Sequence, residues 1–528
     1  MRLARVAIGF AASVALAQAC SSHSTHDSEA PDSGASAAGV AGQGNGIGGA
    51  GGTSAGAAPN QAAAGVTGEG GEAGGEVVDA GPHPAFTWQV SYGQSYAAHV
   101  AVDSTGAAIV SGSFFDSSDI TLGNTTLKSH GSADVMLSRV LADATVDWAR
   151  SYGGTAEDYP VSFVLDAQDR IALTGLYNGT GNLGGADFPP FAGNAGRYDA
   201  SIASFEKNGD PRWSQTITSN AEAFAGPGLA VDATGHLFVP GSFLGTASIG
   251  GIEHVSLGSW DAFLARYDEP NGVLGTATPF GGTAEDRADI VLLTGSDCIL
   301  IGRFSGSVTF PTTPTPTTLI SAGGFDVFIA RASQAGVLNS VVAFGGANDE
   351  QVEGARLDSL GRLVLAGNFS SPTLSIFGGN PLHSAGGEDI FLARLSPTLE
   401  EQWSVSFGSD ADDAVRDLSI GPNDTLAITG EFRDHLQLGD RGWDATPSAD
   451  AGASQIDFFV ATLDSNGQPI WSYAAGGPGQ ERGLSVAADS IGGLYVVAST
   501  TSSIDFGNGT PLTAASGQFA SALVRYVP

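Results

Sequence analysis

One phrase recurs along the whole of this chain, and it constrains the fold more than any other feature. It reads "GSWDAFLARY" at Gly258–Tyr267, with weaker copies "GSADVMLSRV", "GRYDASIASF", "GGFDVFIARA", "GGEDIFLARL" and "SQIDFFVATL". The copies begin their strand-like part at Asp134, Asp199, Asp261, Asp326, Asp389 and Asp457, and Ala520 takes that place in a last copy, "ASALVRY". A period of this kind means an array of like units, each burying its apolar faces against its neighbours.

Three further signals accompany each copy in fixed order. An aromatic strand runs into a glycine turn, as in "WARSYGG" and "WSVSFG", with first positions Trp88, Trp148, Trp213, Thr276, Ser340, Trp403 and Trp471. Successive first positions lie 60–68 residues apart. A short strand then meets an Asp turn, as in "VAVDSTG" and "LAVDATG". A third strand ends in a glycine with an aromatic two places on, from Gly112 and Phe114 to Gly430 and Phe432; the last unit departs, with Ala498 and Thr500. No useful run of helical period lies between these signals, so each unit holds four short strands joined by Gly and Asp turns.

Four strands per unit is the recipe of a β-propeller blade. In "DAFLARY" both faces are largely apolar, as expected of a strand covered on each side. The reading is an all-β, seven-bladed β-propeller of four-stranded blades over residues 86–528. The surplus length, as in "LGTASIGGIEHVSLGS", implies long loops or small hairpins. The repeat begins with a Trp strand, "FTWQVSYG", and ends with "ASALVRYVP". Residues 86–92 should therefore pair antiparallel with about 520–526, closing the last blade with an N-terminal outer strand. Otherwise two apolar strand edges would face water.

The leading residues differ in kind. Arg2 and Arg5 precede an apolar run from Val6 to Ala17, too short to span about 30 Å of hydrocarbon, so residues 1–19 read as a signal peptide. Ala17-Gln18-Ala19 fits small-x-small cleavage. Leu16-Ala17-Gln18-Ala19-Cys20 resembles a bacterial lipobox, with its large aliphatic residue one place early. Both cut before Cys20, the expected lipid anchor. By resemblance to lipoproteins of two-membraned bacteria, the lack of Asp after Cys20 points to the outer membrane or cell surface; without the lipid, the chain would be secreted. Residues 20–85 are nearly all Gly, Ala, Ser and polar residues, which cannot offset ordering entropy. A flexible coil of that length spans about 45 Å and reads as a tether.

The repeat pattern resembles the SBBP-type bacterial β-propeller repeat: DAF-x-A, a turn, a Trp strand ending in GG, an acidic residue, AVD-x-x-G and a strand ending in TG. Residues 258–305, 145–178 and 386–433 carry it. The resemblance implies an exported surface protein and a propeller fold, and it implies no specific activity.

Composition excludes some classes of function. The formal net charge of −34 repels phosphate backbones, so nucleic acid is not an expected partner. No H-E-x-x-H, paired CxxC, GxSxG or P-loop occurs. Cys298, in "DCILIGRF", reads as a buried small hydrophobe. Two acidic sets recur. The turn residues Asp103, Asp166, Asp232, Asp358 and Asp489 are explained by bonding to backbone two residues on. A second set, Asp158, Asp286, Glu350, Asp413 and Glu481, follows the aromatic strand where the chain returns to the axis. These carboxylates either stitch backbone N–H groups or form a site for Ca²⁺ or a cationic ligand group; oxygen donors suit Ca²⁺. No cofactor is otherwise expected. The leading reading is a monomeric, non-catalytic surface lipoprotein whose tethered propeller binds carbohydrate or an envelope protein, or serves as an envelope scaffold. The alternative is a glycan-active hydrolase or lyase, which would need unit-specific carboxylates with Tyr, Arg or His at the channel mouth.

Overall fold

The computed structural model describes residues 85–93, 95–115, 119–184, 188, 197–447 and 455–527. The signal peptide, Cys20 and the tether, apart from Ala85, lie outside the described residues. Among the described residues there is no helix long and apolar enough to cross a membrane.

The fold is an all-β propeller. Each sheet runs from an inner strand outward in the order inner, second, third, outer, and every pairing is antiparallel. The first sheet holds Ser95–Val102, Ala108–Phe115, Ala133–Val140 and Val146–Tyr152. Inner strands begin again at Asp158, Asp286, Glu350, Ala414 and Glu481. In the third unit the inner strand is split into Glu222–Ala225 and Ala230–Val231 by Gly226-Pro227-Gly228. That break is where the repeat degenerates in sequence.

Seven alike four-stranded blades are not what is observed. Five sheets have four strands, one has six and one has seven. The surplus length folds into six small hairpins, such as Thr246–Ile249 with Ile252–Val255 and Ser307–Phe310 with Thr317–Ile320. Two of them add to the outer strand of the preceding sheet, through Ile217↔Ile249 and Gly281↔Thr309, and so enlarge it.

The ring closes as the termini demand. Ala85–Ser91 pairs antiparallel with Ala520–Val527, from Ala85↔Val527 to Ser91↔Ala522, giving the order N-terminal strand, C-terminal strand, Leu494–Thr500, Glu481–Ala488. Two aromatic pairs fasten this seam: Phe86 on Tyr526 at 6.3 Å and Trp88 on Tyr495 at 5.9 Å between ring centroids.

Repeated Trp and Arg residues owe their recurrence to stitching between sheets. Trp88 Nε1 donates to the Ala142 carbonyl at 2.8 Å, and Trp403 Nε1 donates to the Ser465 carbonyl at 3.2 Å. Arg525 Nη1 donates to the same Ala142 carbonyl at 2.8 Å, and Arg266 Nη1 to the Gln334 carbonyl at 3.1 Å. In each case the acceptor lies in the third-to-outer turn of the next unit. The turn Asp residues are equally local: Asp103 Oδ1 accepts the Thr105 and Ala107 N–H groups at 2.9 and 3.0 Å, and Asp358 Oδ1 accepts those of Leu360 and Arg362 at 2.9 Å each. Cys298 is fully buried in the core with Phe238, Phe304 and Phe328.

Candidate functional site

Antiparallel order brings three places in every unit to one end of the propeller: the start of the inner strand, the end of the second and the start of the third. The acidic set sits there. Asp158, Asp286, Glu350 and Glu481 open their inner strands, and Asp413 directly precedes Ala414–Ile420. All five are buried. Each carboxylate accepts the backbone N–H four residues earlier: Gly154, Gly282, Gly346 and Ser409 at 2.7 Å, and Gly477 at 3.0 Å. Burial pushes all five up to about 7. Each faces the third-strand Asp of the preceding unit, so the five do not gather into one cluster. Among the described residues no group of three or more His, Cys, Asp or Glu side chains could hold a metal ion.

Other side chains at the same end differ from unit to unit. Six inner strands carry a register slip, each leaving one residue unpaired: Ala98, Val161, Asp289, Glu353, Arg416 and Leu484. A β-bulge re-aims a side chain, and here it does so on the strands that line the axis. Bulges of adjacent units interact, with Arg416 Nη1 3.9 Å from Glu353 Oε1.

Arg416 is the centre of a charged arc. Its Nη2 and Nε donate to Glu431 Oε1 and Oε2 at 2.5 and 3.1 Å, a bidentate pair, and Arg482 Nη1 lies 3.6 Å from the same carboxylate. Burial works against Glu431, yet Arg416 and Arg482 hold it below the usual carboxylate range. Glu388 lies beside this pair without sharing it: burial pushes it up to about 7, with Arg416 opposing. Burial pushes the Tyr96 hydroxyl up to about 12, and the charges acting on it are Arg482, Glu431 and Arg416. Burial drives His99 down to about 4.

Aromatic rings complete the arc. Tyr159 lies 6.2 Å from Phe115 and 5.9 Å from Tyr198, whose hydroxyl donates to Glu157 Oε2 at 2.5 Å. Phe224 stacks on Trp260 at 5.0 Å, and the Arg287 guanidinium sits 4.6 Å over the Trp260 ring. Arg303 lies 5.6 Å over Phe325, and Tyr96 lies 6.1 Å from Phe519. Tyr96, Phe115, Tyr198, Phe224, Phe325 and Phe519 are half-buried. Half-buried aromatic residues beside Arg and Glu are a combination that can stack on a ring-shaped ligand while the charged groups hydrogen-bond its polar edges.

These residues were not picked out from the sequence, although a signal was present. The position just before the third-strand Asp holds Tyr198, Trp260, Phe325 and Glu388 in successive middle units, and Phe519 before Ala520. The columns beside the repeated ones carry the variation.

Comparison with known proteins adds little about function. No family model matches the chain. A curated relative, the regulatory protein FlaEY of Caulobacter vibrioides, is 23% identical over 388 residues, which cover 69% of this chain and 38% of that protein. The chain thus spans well under half the length of that relative. Among solved structures, the Pan2 WD40 domain of Neurospora crassa matches with a TM-score of 0.40 and 10% identity, covering 82% of this chain and 90% of that one. The quinohemoprotein alcohol dehydrogenase of Comamonas testosteroni matches with a TM-score of 0.38 and 10% identity, covering 84% and 76%.

Proposed function

We propose that this chain is an exported surface lipoprotein whose SBBP-like propeller binds a ligand, carbohydrate or envelope protein, at the axial mouth. One observation carries the reading: a repeated framework gathers unit-specific aromatic, Arg and Glu side chains at a single end. The charge-poor tether and Cys20 would hold that mouth away from an outer membrane, with the propeller acting as a monomer. The formal net charge of −34 argues against nucleic acid as the ligand.

Anchoring is tested by fractionation. Cys20→Ser should move the protein from the membrane fraction to the medium; wild-type protein already in the aqueous phase of a detergent extraction would remove the anchor from this reading. Binding is tested on a glycan array with the mature chain. Tyr96→Ala should weaken any captured glycan about tenfold, since an aromatic contact of this kind is worth about 0.5–1.5 kcal/mol beyond its buried area. Binding unchanged by Tyr96→Ala and Phe224→Ala would place the ligand elsewhere.

A second reading, a glycan hydrolase or lyase, is favoured by Glu388. A carboxyl raised by burial to about 7, beside an arginine-bound Glu431 held below the usual carboxylate range, is an arrangement in which acid and base roles can be separated. Turnover of a captured glycan that survives Glu388→Gln would dismiss it.

A further inference from the structure

The joints between successive units contain an arrangement that neither ligand binding nor strand pairing explains. In five of them the third-strand Asp of one unit meets the acidic residue of the next inner strand, and in three of these both residues keep an oxygen without a close partner: Asp261 with Asp286, Asp326 with Glu350, and Asp389 with Asp413. The two backbones are locked together, because the N–H groups of Asp286, Glu350 and Asp413 donate to the carbonyls of Trp260, Phe325 and Glu388 at 2.8, 2.8 and 2.7 Å. Both carboxyl groups then crowd the same turn. A Cβ on Gly281 would stand 2.4 Å from Asp261 Oδ1, while the next N–H, that of Gly282, donates to Asp286 Oδ2 at 2.7 Å. Gly345 and Gly346 repeat this with Asp326 and Glu350, and Gly408 and Ser409 with Asp389 and Asp413.

Each carboxylate in these pairs has one oxygen satisfied by a backbone N–H. On the third-strand side the donors are Leu257, Ala322 and Ala385, at 3.1, 2.9 and 2.6 Å. The other oxygen of each is buried without a close hydrogen-bond partner, at Asp261 Oδ1, Asp286 Oδ1, Asp326 Oδ1, Glu350 Oε1, Asp389 Oδ1 and Asp413 Oδ1, although Ser371 bears on Glu350, the Ser409 N–H on Asp389 and the Arg433 N–H on Asp413. All six residues are at most 4% exposed. At Asp261 with Asp286, where no further donor acts, two ionised carboxylates would leave two buried acceptors opposed. The charged groups that act on them give no relief. Asp261 and Glu285 act on Asp286, Asp326 and Asp349 on Glu350, and Asp389 on Asp413, all in the direction that disfavours ionisation.

We propose that each of these three joints holds one proton shared between its two carboxyl groups, so that a carboxyl O–H of one residue donates to the orphaned oxygen of the other. One proton satisfies both oxygens. Of the other joints, Asp134 with Asp158 and Asp457 with Glu481 leave an orphaned oxygen only on the third-strand Asp, and two lack the facing acid. Where the ring closes, Ala520 replaces the Asp, and Ser521 Oγ donates to the Ser95 carbonyl at 2.8 Å while accepting the Ala97 N–H at 2.9 Å. At the degenerate joint Asp199 Oδ1 accepts the Ser219 N–H at 2.8 Å, no acid of the next unit is bonded to it, and its Oδ2 is buried without a partner. Hydroxyls supply at the closing joint the donor that a proton supplies at the acid joints.

The sign of the pH dependence follows. Asp286, Glu350 and Asp413 are raised by burial to about 7, above the value of an unfolded carboxyl. Between about pH 4 and pH 7 the folded chain then holds more protons than the unfolded one, so these groups lose stability as pH rises through that window. Asn and Gln mimic the protonated acid, since one amide oxygen accepts the turn N–H and the amide N–H₂ donates to the facing oxygen.

The test is a thermal melt of full-length Asp286→Asn/Glu350→Gln/Asp413→Asn beside wild type. At pH 8 the variant should melt higher by roughly 5 °C or more, and at pH 4.5 the two should coincide. Single Asp286→Asn should show the same sign if the triple variant fails to fold. A variant that melts lower than wild type at pH 8, or a wild-type gap no larger there than at pH 4.5, overturns the shared proton. So does a wild-type melting temperature at pH 8 that rises with millimolar Ca²⁺, with the rise lost in the variant, because a cation would then bridge the pairs.

Discussion

Removing residues 85–93 is expected to abolish the cooperative melt of the propeller at ordinary growth temperatures. These residues are an outer strand supplied from the far end of the chain, and without them Ala520–Val527 presents a free edge. Tyr92 is 2% exposed, and its hydroxyl lies 2.8 Å from Ser138 Oγ in the neighbouring sheet. Trp88 is bonded to the carbonyl of Ala142 and packed on Tyr495. Each large side chain of this kind is worth about 1.5–3 kcal/mol when buried. With Phe86 and Val90 added, the loss approaches the whole stability of a domain, about 5–15 kcal/mol. Deleting 21–80, a far longer segment, should leave the melting temperature within about 1 °C, because a chain of that composition has little apolar surface to bury. Circular dichroism melts of the two deletions decide the matter. Equal effects, or a larger effect from 21–80, would mean that the closing strand does not hold the ring.

The closing strand was legible because it rests on a count: one outer-strand signal too many at the start and one too few at the end. Trp, Arg and Asp positions were legible as recurrences, and their physical cause, reaching the next unit's turn, became visible only in the fold. Two things were hidden. Whether a hairpin stays a separate ribbon or joins its neighbour's outer strand depends on contacts such as Ile217 with Ile249, between residues far apart in the period. The bulges at Ala98, Val161, Asp289, Glu353, Arg416 and Leu484 were hidden for a different reason. A slip of one residue shows in sequence only as a break in alternation, and strands as short and mixed as Glu350–Leu357 offer too little alternation for a break to stand out. The mouth of the axis was therefore unreadable, while its recurring neighbours, Asp158, Asp286, Glu350, Asp413 and Glu481, stood out. Recurrence marks what every joint needs. Departures from it, as at Trp260 and Arg416, mark what only one joint has.

Arg416→Ala should be the most damaging single substitution at the mouth, lowering stability by about 3–5 kcal/mol at pH 8, because it strands a buried carboxylate. Glu431 has a side chain 9% exposed, and its bidentate partner would be gone, leaving Arg482 at 3.6 Å and the weaker influence of Arg433. In the wild type Glu431 is held below the ordinary carboxylate range, so its contribution is present above that range and fades only as pH falls through the lower folded value. Without Arg416 the balance reverses. Burial is then the larger influence, the folded value rises above the unfolded one, and the variant should lose stability as pH rises from about 4 to 8. Urea midpoints at pH 4.5 and pH 8 would read this directly: a wide gap between variant and wild type at pH 8, narrowing at pH 4.5. Arg416→Ala/Glu431→Gln should recover much of the loss, since a neutral amide costs far less to bury than an unpaired charge. A double variant as unstable as Arg416→Ala would mean that the arginine acts by filling space along the axis. A rescued double variant that folds well but no longer captures ligand would separate the two roles of this pair, holding the ring and presenting charge at its mouth.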